Sequence, residues 1–201
     1  MSKIFICLLF VLISLKICAA FFTNFSLYGD EAQYWLWSQS LDLGYFSKPP
    51  LLPWFLSGYV NLFGDSFFSL KMFPLLIYLL IFFAVYRLCL KLHLSQNSSV
   101  VCAASFLLMP AASVSSFLIS TDLLLLLFWT LAMIKLLEIR MRGSMINFFL
   151  LGIFLGLAFL AKYAAVYFLL SFFILIIVDK KTLIGLKTYT AGWLVFVFMF
   201  S

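Results

Sequence analysis

The chain has 201 residues, of which 66% are hydrophobic, 20% aromatic and 10% charged, with a formal net charge of +6. A soluble domain carries about 25% charged residues, so this composition supplies too little polar surface for water and excludes a soluble globular fold. The basic residues stand in short clusters between apolar runs, the pattern of membrane topology signals, and no nucleic-acid partner is expected.

The first apolar run, residues 4–22, follows Lys3 and is interrupted by Lys16 near its far end. Cys18-Ala19-Ala20 has the look of a signal-peptide cleavage site, but the run exceeds the usual signal length and is read as an uncleaved first span. Residues 23–54 form the most polar and aromatic segment, with Asp30, Glu31, Asp42, Lys48, Trp35, Trp37, Trp54, Pro49-Pro50 and Pro53. Tyr and Trp favour the membrane–water interface, so this segment is expected to be an outer loop of short helices lying on the bilayer.

Further spans are expected at about 67–90, 100–118 and 123–137. The apolar stretch 146–178 is too long for one crossing of roughly 20 residues and is read as two short spans, 146–161 and 163–178, meeting at Lys162. A last apolar run, 189–201, stops short of a crossing length, so the chain reads as truncated within a span. The expected fold class is therefore an all-α membrane protein, a polytopic bundle of transmembrane helices with its first outer loop at 23–66.

The charges orient this layout. With the N-terminus inside, the inner loops hold Lys3, Arg87, Lys91, Lys135, Arg140, Arg142, Lys180, Lys181 and Lys187, as cytoplasmic loops should. The acids Asp30, Glu31, Asp42, Asp65 and Asp122 fall outside, beside Lys48, Lys71 and Lys162. Four cysteines without CxxC spacing argue against a disulfide framework or a metal knuckle. His93, among inner basic residues, reads as a topology residue, and the sequons at Asn24 and Asn97 are weak signals.

Ionisable side chains at membrane depth are costly and mark functional sites. Asp30 sits beside aromatic residues at a membrane edge, where a carboxylate suits general-base work. The competing reading makes it the N-cap of a short helix carrying Trp35 and Trp37. Asp122, after Ser120-Thr121, has the same two readings. Lys48 is either a phosphate-binding point charge or an interfacial lysine with its head in water. Lys162 either meets a polar partner or marks a loop.

Three strings together carry a resemblance: Gly29 to Ser38 (GDEAQYWLWS), Gly44 to Leu51 (GYFSKPPL) and Leu62 to Ser66 (LFGDS). They resemble the first outer loop of the GT-C type glycosyltransferases that use polyprenyl-phosphate sugars: protein mannosyltransferases, aminoarabinose transferases and galacturonic-acid transferases. Ser120-Thr121-Asp122 is similar to their second outer loop, and Gly156 to Tyr163 to a further membrane motif of bacterial members. The resemblance implies a bacterial inner-membrane enzyme. It would move a sugar from a polyprenyl-phosphate donor to an acceptor hydroxyl on a lipid, glycan or protein, with inversion. It further implies Asp30 as general base, Asp122 as a second carboxylate, Lys48 and Lys162 at the donor phosphate, and Glu31, Tyr34 and Tyr45 at the acceptor or substrate. A divalent metal is left open, with Glu31 as a ligand; Ser47 stands where the aminoarabinose transferases carry a glutamate. Family enzymes are much longer, so a separate C-terminal half is an expected partner beside the bilayer. Two other classes fit the residues: an inactive remnant or scaffold half, and a transporter lined by Asp30, Asp122 and Lys162.

Overall fold

The computed structural model describes residues 3–22, 27–141 and 144–179. The expected incomplete span at 189–201, the basic residues Arg142, Lys180, Lys181 and Lys187, and the Asn24 sequon lie outside the described residues. Among the described residues the chain is all-α; its only strand-like feature is an isolated bridge between Tyr45 and Lys48. The chain divides into two compact units, 1–124 and 125–201.

The first unit contains α1 (Lys3–Phe22), α2 (Gly29–Gln39), α3 (Leu51–Phe63), α4 (Phe67–Lys91), α5 (Gln96–Leu108) and α6 (Pro110–Ser115). α4 begins at an N-cap serine, Ser66, whose hydroxyl accepts the Ser69 N–H at 3.2 Å and so satisfies one of the helix's orphan donors. Among the described residues α4 is the one helix long and apolar enough to cross a bilayer; α3 and the segments Met145–Ala161 and Tyr163–Val178 are shorter apolar helices.

α4 ends in a Schellman motif. His93 N–H donates to the Leu90 carbonyl at 3.0 Å and Leu94 N–H to the Cys89 carbonyl at 3.2 Å. His93 itself adopts the left-handed conformation (φ 63°) that this motif requires one residue past the C-cap. The single histidine is thus a helix stop. α5 then starts at Ser95, whose hydroxyl accepts the Ser98 N–H, and packs on α4. Tyr78, Ile81 and Phe82 of α4 and Ala103 of α5 are almost wholly buried.

The run 100–118, expected as one span, is broken. Pro110 forces Met109 into an extended conformation (ψ 134°), because the proline ring clashes with a helical residue before it. α5 therefore stops at Leu108 and α6 restarts at Pro110 in the N1 position that tolerates proline. The break leaves the Leu107 carbonyl without a helical donor, and the buried Tyr78 hydroxyl supplies one at 2.6 Å.

α7 (Thr121–Met141) starts in the first unit and ends in the second. In the second unit α8 (Met145–Ala161) stops at Lys162, which is extended (φ −158°, ψ 132°); a 3-10 turn at Tyr163–Ala165 then leads into α9 (Val166–Val178). Ala132, Ile139, Phe148, Leu151, Leu155, Phe168 and Phe172 form its core. Arg140 and Asp179 pair at 2.7 Å.

Candidate functional site

α2 is built to present its first turn. Tyr28 is the N-cap and Gly29, Asp30 and Glu31 are the first three helical residues. The Glu31 carboxylate turns back to accept the Tyr28 N–H at 3.1 Å, half of a capping box. Asp30 is therefore not the N-cap. It lies in the first turn, exposed, where the helix dipole favours a carboxylate.

Glu31 is 1% exposed. Both of its oxygens accept from Lys71 Nζ at 2.8 Å, and Oε1 also accepts the Ile119 N–H at 2.9 Å. Lys71 completes its own shell with the Phe117 carbonyl at 3.2 Å and the Phe67 ring at 5.6 Å. A buried charge is tolerable when it is paired and hydrogen-bonded, and here both partners are. The pair joins α2 and α4 to residues 116–120, the connector between α6 and α7.

A cleft of about 420 Å³ opens between the first turn of α2 and this connector. Asp30, Glu31 and Tyr34 line one side, and Leu118, Ile119 and Ser120 the other. The Ser120 hydroxyl oxygen is shielded and has no hydrogen-bond partner among the described residues. Tyr34 is 2% exposed and meets the Trp37 ring edge-on at 5.8 Å. Asp122 follows the connector by two residues, half-buried in the first turn of α7.

Tyr45 and Lys48 lie beyond α2, in a turn closed by reciprocal backbone hydrogen bonds of 3.2 Å. The Tyr45 ring stacks on Trp37 at 4.8 Å. Its hydroxyl lies 3.1 Å from the Trp37 and Ser40 carbonyls and accepts the Asp42 N–H at 3.0 Å. Trp54 Nε1 donates to the Asp42 carbonyl at 2.8 Å. The Tyr45 hydroxyl is thus occupied in shaping the loop, which carries the half-buried Lys48 into Pro49-Pro50 and α3. Ser47, at the turn's third position, has φ 69°.

The structure thus brings Asp30, Glu31 and Tyr34 to one cleft, with Ser120 as a wall residue that sequence reasoning passed over. Lys162 belongs to the second unit. Sequence reading also missed the pairing role of Lys71, although an acid and a lysine both expected on the outer side were a visible signal. The residues do not fit a divalent metal. Glu31 has both oxygens engaged, Ser47 offers no carboxylate, and no group of three or more His, Cys, Asp or Glu able to hold a metal occurs among the described residues.

Comparison with known proteins adds three findings. The family model described as dolichyl-phosphate-mannose-protein mannosyltransferase matches residues 47–201. A lipid A galacturonosyltransferase, RgtD, of Rhizobium johnstonii is 33% identical over 139 residues, 69% of this chain and 29% of that protein. No solved structure matches. Lys48, Asp122 and Lys162 fall inside the family match, and Asp30 precedes it.

Proposed function

The chain belongs to the dolichyl-phosphate-mannose-protein mannosyltransferase family, and from that premise we propose that it forms the N-terminal part of a multi-pass membrane glycosyltransferase. The enzyme transfers a sugar from a polyprenyl-phosphate donor to an acceptor hydroxyl at the outer face of a bacterial inner membrane, with the N-terminus of the chain inside. The chain spans 29% of the length of its galacturonosyltransferase relative, and a separate C-terminal half is proposed as its partner in the working unit. The relative's name favours an acceptor hydroxyl on a lipid-linked glycan over one on a protein.

The observation that carries this reading is the cleft with Asp30 on its wall, closed on its far side by the connector into Ser120-Thr121-Asp122. In the reaction an acceptor oxygen attacks the anomeric carbon as the bond from that carbon to the phosphate oxygen breaks. Asp30 takes the acceptor's proton, the role its exposed position permits. The polyprenyl phosphate departs with the bonding electron pair. Lys48 is assigned to that phosphate, where fixed positive charge offsets the negative charge that develops. Asp122 is the second carboxylate, orienting the acceptor or donor sugar. Glu31 is a positioning residue: paired to Lys71, it holds the cleft's two walls together. No step runs through a metal.

The test is Asp30→Asn in the assembled enzyme, with transfer from a polyprenyl-phosphate sugar followed in proteoliposomes. Asp30 is exposed and makes no side-chain hydrogen bond among the described residues, so the variant should fold normally. Turnover should fall by roughly 10²–10⁴-fold, the usual contribution of a positioned base. Unchanged turnover would remove Asp30 from the chemistry.

A further inference from the structure

The first unit holds a second inward-turned lysine that the proposed reaction does not use. Lys16, in α1, is 9% exposed. A lysine near a helix end normally extends its head toward water. Lys16 instead donates to the carbonyl and the hydroxyl of Ser113, each at 3.3 Å, and to the hydroxyl of Ser116. Its ammonium also stands over the rings of Tyr78 at 5.0 Å and Phe117 at 4.6 Å. No carboxylate pairs with it among the described residues. An ionisable group at membrane depth is costly to retain, and the hydrogen bonds of this one all go to the segment that leads into the cleft wall.

The ties along that segment are consecutive. Lys16 holds it at Ser113 and Ser116, and Lys71 holds the Phe117 carbonyl. Glu31 then holds the Ile119 N–H. Phe117 is gripped on both sides, its ring by Lys16 and its carbonyl by Lys71. Ser120 alone separates the last tie from the start of α7.

We infer that Lys16 is a positioning residue that, with the Glu31–Lys71 pair, fixes the connector and so sets where Ser120 and Asp122 stand relative to Asp30. The geometric part stands by itself; its kinetic consequence rests on the glycosyl-transfer reading above. Lys16→Met keeps the apolar stem and removes the ammonium, which releases Ser113 and Ser116 while leaving the Glu31–Lys71 pair intact.

Two readouts separate the claims. In a Ser120→Cys background the thiol starts at the shielded position of the serine hydroxyl, so its alkylation by a small maleimide reports connector freedom without any enzymatic assay. Lys16→Met should raise that rate by roughly 10-fold. In the assembled enzyme with Ser120 restored, it should lower kcat by roughly 10–100-fold, the scale of a misplaced catalytic group, with donor KM within about 2-fold, as expected when transition-state alignment rather than ground-state binding is lost. If Lys16→Met does not accumulate, Ser116→Ala removes the Ser116 end of the tie and leaves Lys16 on the Ser113 carbonyl and hydroxyl, so it should raise the alkylation rate by less, and Ser116→Thr, which keeps the hydroxyl, should stay closer to the native rate than Ser116→Ala. An unchanged alkylation rate in both Lys16→Met and Ser116→Ala overturns the inference. A raised rate with unchanged kcat upholds the tie and counts instead against a role for Asp122 in transfer.

Discussion

Replacing Glu31 by glutamine preserves the side chain's shape and deletes one charge, which makes it a clean probe of the ion pair under the cleft. The glutamine oxygen can take the place of Oε1 and keep the Lys71 and Ile119 hydrogen bonds. Its amide nitrogen then falls where Oε2 stood, 2.8 Å from the Lys71 ammonium and 3.1 Å from the Tyr28 nitrogen, donor against donor. The Lys71 side chain is only 10% exposed, so water cannot take over. Removing one partner of a buried pair costs about 3–5 kcal/mol; the surviving acceptor places Glu31→Gln near the lower end, about 3 kcal/mol. Lys71→Met leaves a buried carboxylate with two backbone donors and should cost a similar amount. The double variant removes both charges and leaves a neutral amide beside a thioether. Its cost should therefore fall below the sum of the singles by about 2–3 kcal/mol, a coupling of the size seen between contacting groups. Unfolding of the purified protein in mild detergent, followed by circular dichroism of the helical band, measures all four proteins of the cycle. Additivity within about 0.5 kcal/mol, or a single-variant cost below about 1 kcal/mol, would refute the reasoning.

Three further outcomes are expected. Ser47 holds φ 69° in the Tyr45–Lys48 turn, where a side chain costs about 1–2 kcal/mol; Ser47→Gly should raise Tm slightly and Ser47→Val should lower it, and the opposite order would contradict the turn. Cys89 of α4 and Cys102 of α5 are close enough to influence one another electrostatically. With Cys7 and Cys18 replaced by serine, mild oxidation should therefore protect both thiols from iodoacetamide until reductant is added, and full alkylation after oxidation would mean that these helices do not pair as described. Ser40 caps the exposed end of α2; a Ser40→Cys thiol should react with an impermeant maleimide on intact cells, and labelling only after lysis would reverse the proposed orientation.

Much of the helical layout is local and therefore legible. An apolar chain must satisfy its backbone groups internally, so the long apolar runs become helices, and a lysine inside the stretch 146–178 marks the break that α8 and α9 show at Lys162. The Met109-Pro110 break was equally visible in the residues, since proline constrains its predecessor, but the apolarity on either side masked it. His93 was read only as a topology residue; its position one residue past a helix end also gives it the left-handed turn.

The candidate site divides along the same line. Asp30, Asp122 and Lys48 could be singled out as candidates because each stands beside helix-start or turn residues within a few positions of itself. The partners of Glu31, Tyr45 and Lys16 were not. Tyr45, expected at substrate, ties its own loop together through its hydroxyl. Glu31 finds Lys71 from 40 residues away, and Lys16 finds Ser113 and Ser116 from about 100. Sequence by itself determined where helices start, stop and carry charge, because hydrogen bonds within a turn or a cap involve near neighbours. Which buried ammonium meets which acceptor was decided only by tertiary packing, since many polar groups compete for each lysine and only the folded chain brings one set within 3 Å or so.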